Sequence, residues 1–350
     1  MSLVPDFPRY KVTNEKALLF LLQYRVSTLP IHPNEIIKEL KCSIKTYRHY
    51  TKKLDCTVQD ISEACGSIDG YSIYDENKQK YKIIYNDEIV SEERIRFTLM
   101  HEIAHIYLGH FIDFEQTKLC RGGLYEDDLE VLDKEANHFA SKVLAPEIVL
   151  LHAGWKSPKM IRQQCALSTE ASKYKAENIV KMEQKRNFIT NLEVRVLRQF
   201  NKFIYQHICK SCNHYFIIPN AKYCPVCGSD KIQWGRGKNM IYPEFELDEN
   251  NKAIVCPVCD NDQIVQAGDF CHICGTNLVN KCLGQIKGYN CDNEPIFELS
   301  CGSLLPGNAR FCPYCGGLSS FYHQKVLLAW NEVNSIEESS TDTSTFEIPF

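Results

Sequence analysis

The sequence predicts an α+β protein built in two stages. A mostly helical domain with a small β-sheet comes first, and small β-rich modules pinned by metal-binding cysteines follow. Three observations carry this reading. Apolar residues recur at helical spacing in several segments of the first 195 residues. Two short aromatic and β-branched runs interrupt them and read as strands. Of eighteen cysteines, only five lie in that part, at irregular spacing; thirteen lie beyond residue 200, mostly in Cys-x-x-Cys pairs.

The elements follow in order. "TNEKALLFLLQYRV" is a helix with Thr13 or Asn14 as its cap, and "LPIHPNEIIKEL" opens a second helix after Pro33. "GYSIY" and "YKIIYN" (residues 70–74 and 81–86) form strands joined by the polar turn "DENKQK". A helix is expected from about Glu92 to Gly109, then a loop, "FIDFEQTKLCRGGLYEDD", centred on Gly122 and Gly123. The next helix runs from about Asp127 to Leu144 and stops before Pro146. Two more short helices follow, with a break near Leu167 and Ser168. From residue 331 the chain has five acids and no Lys or Arg, the composition of a mobile tail. The expected domains are 1–190, a cysteine-rich array over 191–325 (modules at about 205–235, 252–280 and 282–320), and an acidic flexible tail over 326–350.

A net charge of −4 gives no case for bulk attraction to nucleic acid or a membrane. The longest apolar run near the start, "ALLFLL", is far too short to span a bilayer. "MSLVPDFPRY" lacks a basic stretch followed by an apolar one, so no export signal is expected. Paired cysteines without an export signal point to metal binding in a reducing cytoplasm rather than to disulfides.

Residues 96–110, "RFTLMHEIAHIYLGH", contain His-Glu-x-x-His. On a helix, residues four apart share a face, so His101 and His105 can reach one metal. Glu102 can instead reach a water bound to that metal. Zinc with an open fourth position lowers the pKa of such a water to about 7. Glu102 would take its proton as the hydroxide attacks a carbonyl, then pass it to the leaving amine. This is a zincin-like arrangement. The tempting third histidine, His110, lies nine residues after His101, which at about 100° per residue puts it on the opposite face. It is read as a helix-end histidine favourable to the dipole, not as a ligand.

Zinc needs a third protein ligand. In zincins of the thermolysin type it is a Glu on a second helix, and a polar residue four positions on orients the first His. In "VLDKEANHFASKVLAP", Asn137 suits the orienting place, and four residues earlier stands Asp133. Glu135 points about 160° away from Asn137. Asp133 is therefore preferred as the third ligand, with Glu135 as the alternative.

With these two motifs, residues 94–146 resemble the ImmA/IrrE family of zinc metallo-endopeptidases. "RFTLMHEIAHIYLGH" and "DKEANHFASKVLAP" carry the resemblance; "LPIHPNEIIKEL", "YKIIYN" and "ALSTEAS" extend it over roughly residues 14–185. It implies limited intracellular proteolysis, in several members of helix-turn-helix repressors, with a transcriptional consequence. The family's zinc-binding Glu falls on Asp133, whose side chain reaches about 1.5 Å less far.

In the cysteine array, Cys209, Cys212, Cys224 and Cys227 repeat as Cys256, Cys259, Cys271 and Cys274, with eleven residues between the pairs of each set. This spacing predicts two four-thiolate zinc ribbons, with His272 no ligand. A third unit has Cys312, Cys315 and Cys301, but residue 298, where a fourth cysteine is expected, is Glu. Cys291 is preferred for the gap, and Cys282 is the alternative. The expectation is therefore one catalytic zinc and two to three structural ones. Protein contact is the favoured use of the ribbons. Nucleic-acid binding, through "KIQWGRGK", is less favoured because the region is not a basic stripe. The leading functional expectation is an endopeptidase acting on a repressor or other regulatory protein. The alternative is a ribbon-based binding module with an inactive peptidase domain.

Overall fold

A computed structural model describes residues 4–40, 42–114, 118–119, 126–185, 188–235, 240–264, 268–333 and 336–337. The chain forms two compact units, Met1–Ile204 and Tyr205–Phe350.

The first unit is helical around one small sheet. Its elements are α1 (Tyr10–Gln23), α2 (Pro33–Glu39), β1 (Cys42–Thr46), α3 (Tyr47–Leu54), α4 (Val58–Cys65), β2 (Gly70–Asp75), β3 (Lys80–Tyr85) and α5 (Glu92–Leu108). Then come α6 (His110–Asp113), β4 (Lys118–Leu119), α7 (Glu126–Leu144), α8 (Glu147–His152), α9 (Pro158–Cys165), α10 (Thr169–Lys185), α11 (Asn191–Gln199) and α12 (Asn201–Ile204). The sheet order is β1-β3-β2-β4, with β1 parallel to β3 and the other pairs antiparallel. Strands β2 and β3 lie where the aromatic runs predicted them. The expected loop after Gly109 contains α6 and β4; Gly122 and Gly123 fall outside the described residues.

Helix α5 is central. Ser91 caps it by accepting from Arg94 N, and Glu92 and Glu93 favour its positive end. Leu99, Met100, Ile103, Ala104 and Ile106 are buried on several faces because α5 packs on β2 and β3 on one side and on α7 on another. Helix α1 crosses α7: the Phe20 ring meets Phe139 at 5.2 Å and Tyr107 at 4.9 Å, both edge-on. Arg96 ties the ends of neighbouring segments to α5. Its guanidinium donates to Ile31 O and to the Cys165 and Ala166 carbonyls that end α9.

The second unit builds its cores around thiols. Its elements are β5 (Gln206–Cys209), β6 (Tyr215–Ile217), β7 (Ile232–Trp234), β8 (Met240–Ile241), β9 (Cys282–Gly284), β10 (Ile286–Tyr289), β11 (Pro295–Phe297), β12 (Leu318–Ser319), α13 (Ser320–His323) and β13 (Ile336–Glu337). Cys209, Cys212 and Cys224 pack with Phe216, Val226 and Tyr242; Cys256 and Cys271 with Ala253, Leu278 and Phe321; Cys282 and Cys312 with Leu305 and Ala309. Such small modules lack the apolar volume to fold on side chains alone. The acidic tail begins later than residue 326. Leu327 is buried against Phe321, and Trp330 and Val333 pack on the first thiol core, so residues 326–333 belong to the unit. Residues 334–335 and 338–350 lie outside the described set.

Candidate metal centre

Helix α5 presents His101 and His105 one turn apart, and α7 crosses it to bring up Asp133. His101 Nε2 and His105 Nε2 are 3.0 Å apart, and Asp133 Oδ1 lies 3.6 Å and 3.3 Å from them. Tetrahedral zinc with nitrogen and oxygen ligands has ligand–ligand edges of about 3.3 Å. Two imidazoles and a carboxylate at these spacings therefore suit that ion. Helices α5 and α7 pack directly on each other, and the shorter Asp side chain reaches the site. Asp133 is more than half exposed, so the centre is open on its side. Burial opposes ionisation of Asp133, but hydrogen bonds to His101 and His105 outweigh it and hold its pKa below the usual carboxylate range.

The second ring nitrogens are engaged as metal-ligating histidines require. His101 Nδ1 donates to Asn137 Oδ1 at 2.9 Å, as the one-face relation of Asp133 and Asn137 predicted. His105 Nδ1 lies 2.9 Å from His110 Nδ1. His110 Nε2 donates to Glu135 Oε2 at 3.2 Å, which leaves His110 Nδ1 as acceptor and His105 Nδ1 as donor. Both Nε2 lone pairs are thereby free to face the metal position. Arg9 anchors the chain: its backbone N, Nε and Nη2 donate to Glu135 at 2.6, 2.9 and 2.8 Å. Burial would raise the Glu135 pKa, but Arg9 and His110 pull it down to about 2. Burial pushes the His110 pKa down, against the pull of Glu135.

Two expectations are corrected here. Glu135, the alternative third ligand, is 1% exposed and turned into the Arg9–His110 chain, away from the converging atoms. His110, expected on the face opposite His101, is fully buried beside His105, though it stays outside the converging ligand atoms. The helical phase that placed it on the opposite face assumes an unbroken helix. Gly109, at φ 85°, breaks the helix and returns His110 toward His105.

Glu102 is buried beside the ligands, and Ser72 on β2 donates to its Oε2 at 2.5 Å. Burial raises the Glu102 pKa; His101 and Ser72 act against it. A carboxylate whose proton affinity is raised in this way, next to an open metal position, is suited to accept and return a proton. Neither Ser72 nor Arg9 stands out in the sequence, because nothing in their spacing links them to the motif.

The cysteine groups converge as quartets. Sγ–Sγ distances are 3.5 Å for Cys209–Cys227, 3.6 Å for Cys212–Cys224, 3.5 Å for Cys256–Cys274 and 3.7 Å for Cys259–Cys271. Four thiolates on zinc have edges of about 3.8 Å. These groups fit a closed tetrahedral site, whereas disulfide sulfurs lie about 2.05 Å apart. His272 is exposed and outside its quartet.

The third quartet is Cys282, Cys301, Cys312 and Cys315, with Cys282–Cys315 and Cys301–Cys312 both at 3.5 Å. The preference for Cys291 is therefore wrong. Cys291 sits exposed at the tip of the β10–β11 hairpin, where Asn290 Oδ1 accepts from the N–H groups of Asp292 and Glu294. That hairpin is inserted between the two cysteines of the first knuckle. Glu298 N donates to Gln285 O at 2.8 Å and closes its base, so Cys282, though farther along the chain, is nearer in space.

Residues 52–187 match the family described as the IrrE N-terminal-like domain, Peptidase_M78. No curated protein matches the chain. The match spans both helices that carry the converging His, His and Asp side chains. Over this segment the chain is similar to the ImmA/IrrE family of metallopeptidases.

Proposed function

We propose that the protein is a zinc-dependent endopeptidase performing limited intracellular proteolysis of a regulatory protein, with a helix-turn-helix repressor as the leading candidate. The observation that carries this reading is the buried Glu102 beside three converging ligand atoms in a metallopeptidase domain. His101, His105 and Asp133 would hold the zinc, which when bound supplies Lewis-acid polarisation of the scissile carbonyl. Glu102 accepts the proton of the attacking water as its oxygen bonds to the carbonyl carbon. It then delivers that proton to the amine nitrogen as the C–N bond breaks. Ser72 fixes the Glu102 carboxylate; its strand β2 is paired on both sides, so an extended peptide would be held by backbone hydrogen bonds at the sheet edge formed by β4. The three cysteine quartets would hold structural zinc and present protein-contact surfaces.

The test is co-expression of wild type or Glu102→Gln with candidate repressors, read by fragment mass spectrometry, together with metal counting on the purified chains. Cleavage by wild type alone, with four zinc ions in both proteins, is the expected result. Equal fragment patterns across all candidates would overturn the repressor assignment. Wild type with only three zinc ions would favour the other reading, a ribbon-based binding protein with an inert peptidase centre, for which the size of the ribbon array speaks.

A further inference from the structure

Each ribbon carries the same six-residue element: an aromatic, Cys-x-x-Cys, then Gly. The copies are Tyr223–Gly228, Phe270–Gly275 and Phe311–Gly316. In the first and third ribbons these elements dock on each other reciprocally. Pro225 O accepts from Arg310 N at 2.8 Å and Phe311 N at 3.0 Å. Pro313 O accepts from Lys222 N at 2.7 Å and Tyr223 N at 3.0 Å. The aromatics pack in the same crossed fashion. A Cβ on Gly228 would come within 2.9 Å of the Phe311 ring, and one on Gly316 within 3.3 Å of the Tyr223 ring. Each glycine is thus a seat for the other ribbon's aromatic side chain, and the interface is related by a local two-fold.

The second ribbon has the same frame. Cys271 N donates to Thr276 O and Gly275 N to Cys271 O, as Cys312 N does to Gly317 O and Gly316 N to Cys312 O. Leu278 N donates to Asp269 O, as Ser319 N does to Arg310 O. Gly275 has φ 75°, against 71° and 74° at Gly228 and Gly316. Yet its docking surface is bare. Phe270 is 62% exposed, where its docked counterparts Tyr223 and Phe311 are half-buried, and Ile273 is 65% exposed, against 0% for Val226 and 39% for Tyr314 at the same position. A Cβ on Gly275 would meet nothing within 4 Å. Among the described residues, the N–H groups of Asp269 and Phe270 have no acceptor.

We propose that this surface is a dimerisation site, occupied by the second ribbon of another copy of this chain in the arrangement that ribbons one and three adopt. The docked pair shows that the element is complementary to its own kind, since each side supplies one aromatic, one glycine seat, two donors and one carbonyl. A surface of that form closes on itself about a two-fold and needs no different partner. Ribbons one and three are already engaged with each other, which leaves ribbon two of a second copy as the matching surface. Asp269 stands where the docked ribbons have Lys222 and Arg310. Lys222 stays exposed in the docked pair, so a charged side chain at this place need not be buried by the contact.

The test is sedimentation equilibrium of the metal-loaded full chain at physiological salt, for wild type, Phe270→Asp and Ile273→Asp. Metal content serves as the folding control. Wild type is expected to be a dimer, and each variant to weaken it by about 30-fold or more, the loss typical of a buried interface anchor. If Phe270→Asp loses metal, Ile273→Asp, which alters only an exposed knuckle tip, decides. A monomeric wild type across the concentration range, or a dimer that both variants leave unchanged, overturns the proposal.

Discussion

His110 Nδ1 sits 2.9 Å from His105 Nδ1, so a residue outside the converging ligand set controls the tautomer of one inside it. The control originates in Glu135, ionised by Arg9, which accepts a hydrogen bond from His110 Nε2–H and leaves His110 Nδ1 able only to accept. Replacing His110 by Ala leaves the His105 Nδ1–H buried without a partner and frees the ring to rotate. Metal affinity at this centre should fall about 10–100-fold, the usual cost of losing such a partner. Competition with a chromophoric chelator measures it, and the cysteine quartets should keep their metal. Unchanged affinity would show that packing alone orients His105.

Asp133 invites a misleading repair, because restoring the glutamate implied by the family resemblance would look like an improvement. The observed edges of 3.0, 3.3 and 3.6 Å already match a zinc site with the aspartate in place. A Glu here carries its carboxylate about 1.5 Å farther and has to fold back off a preferred rotamer, costing about 0.5–1.5 kcal/mol. Asp133→Glu should therefore bind metal more weakly than wild type, by about tenfold or less, in the same chelator competition. Tighter binding would mean that α5 and α7 stand farther apart in solution.

The third quartet separates two cysteines that the sequence makes hard to rank. Cys282→Ser should remove one metal ion per chain, since a closed site loses a thiolate whose Sγ lies 3.5 Å from that of Cys315. Cys291→Ser should leave the metal count unchanged. Atomic emission on the purified variants decides between them, and the opposite pattern would reassign the knuckle.

How far the sequence carries depends on whether an interaction is local. His101, Glu102, His105 and Asn137 were legible because i, i+4 geometry holds along uninterrupted helices. The two regular ribbons were legible because eleven residues recur between cysteine pairs. His110 was misplaced because one left-handed glycine invalidates helical phase, and Cys291 was preferred because chain distance ignores a hairpin that closes on itself. Arg9 acts across 126 positions on Glu135, and Ser72 across 30 on Glu102. No local pattern encodes those contacts; they exist only once α1, the sheet and α7 have packed around α5.

Glu147 provides a test of the scaffold that is independent of metal. It is buried with Lys175 Nζ at 2.8 Å and Lys142 Nζ at 3.0 Å, and Lys175 also donates to Ser141 O. Burial alone would raise the Glu147 pKa, but the two lysines outweigh it and the value is lowered. The folded carboxyl therefore binds its proton less readily than the unfolded one, whose pKa is about 4.3. Its stabilisation is complete above that pH and is lost as pH falls through the folded pKa. Glu147→Gln should destabilise the first unit at pH 7 by about 3 kcal/mol, because it leaves Lys175 charged and buried without its anion. It should also remove this group's share of the acid sensitivity. Glu147→Leu combined with Lys175→Met should cost less than Glu147→Gln alone, since Lys142 is partly exposed and can turn to water. Native-state hydrogen exchange of the α10 amides at pH 7 and near pH 4 reads both effects. Protection in Glu147→Gln equal to wild type at pH 7 would mean that Lys175 sheds its proton when left unpaired, and that the ion pair adds nothing to the fold.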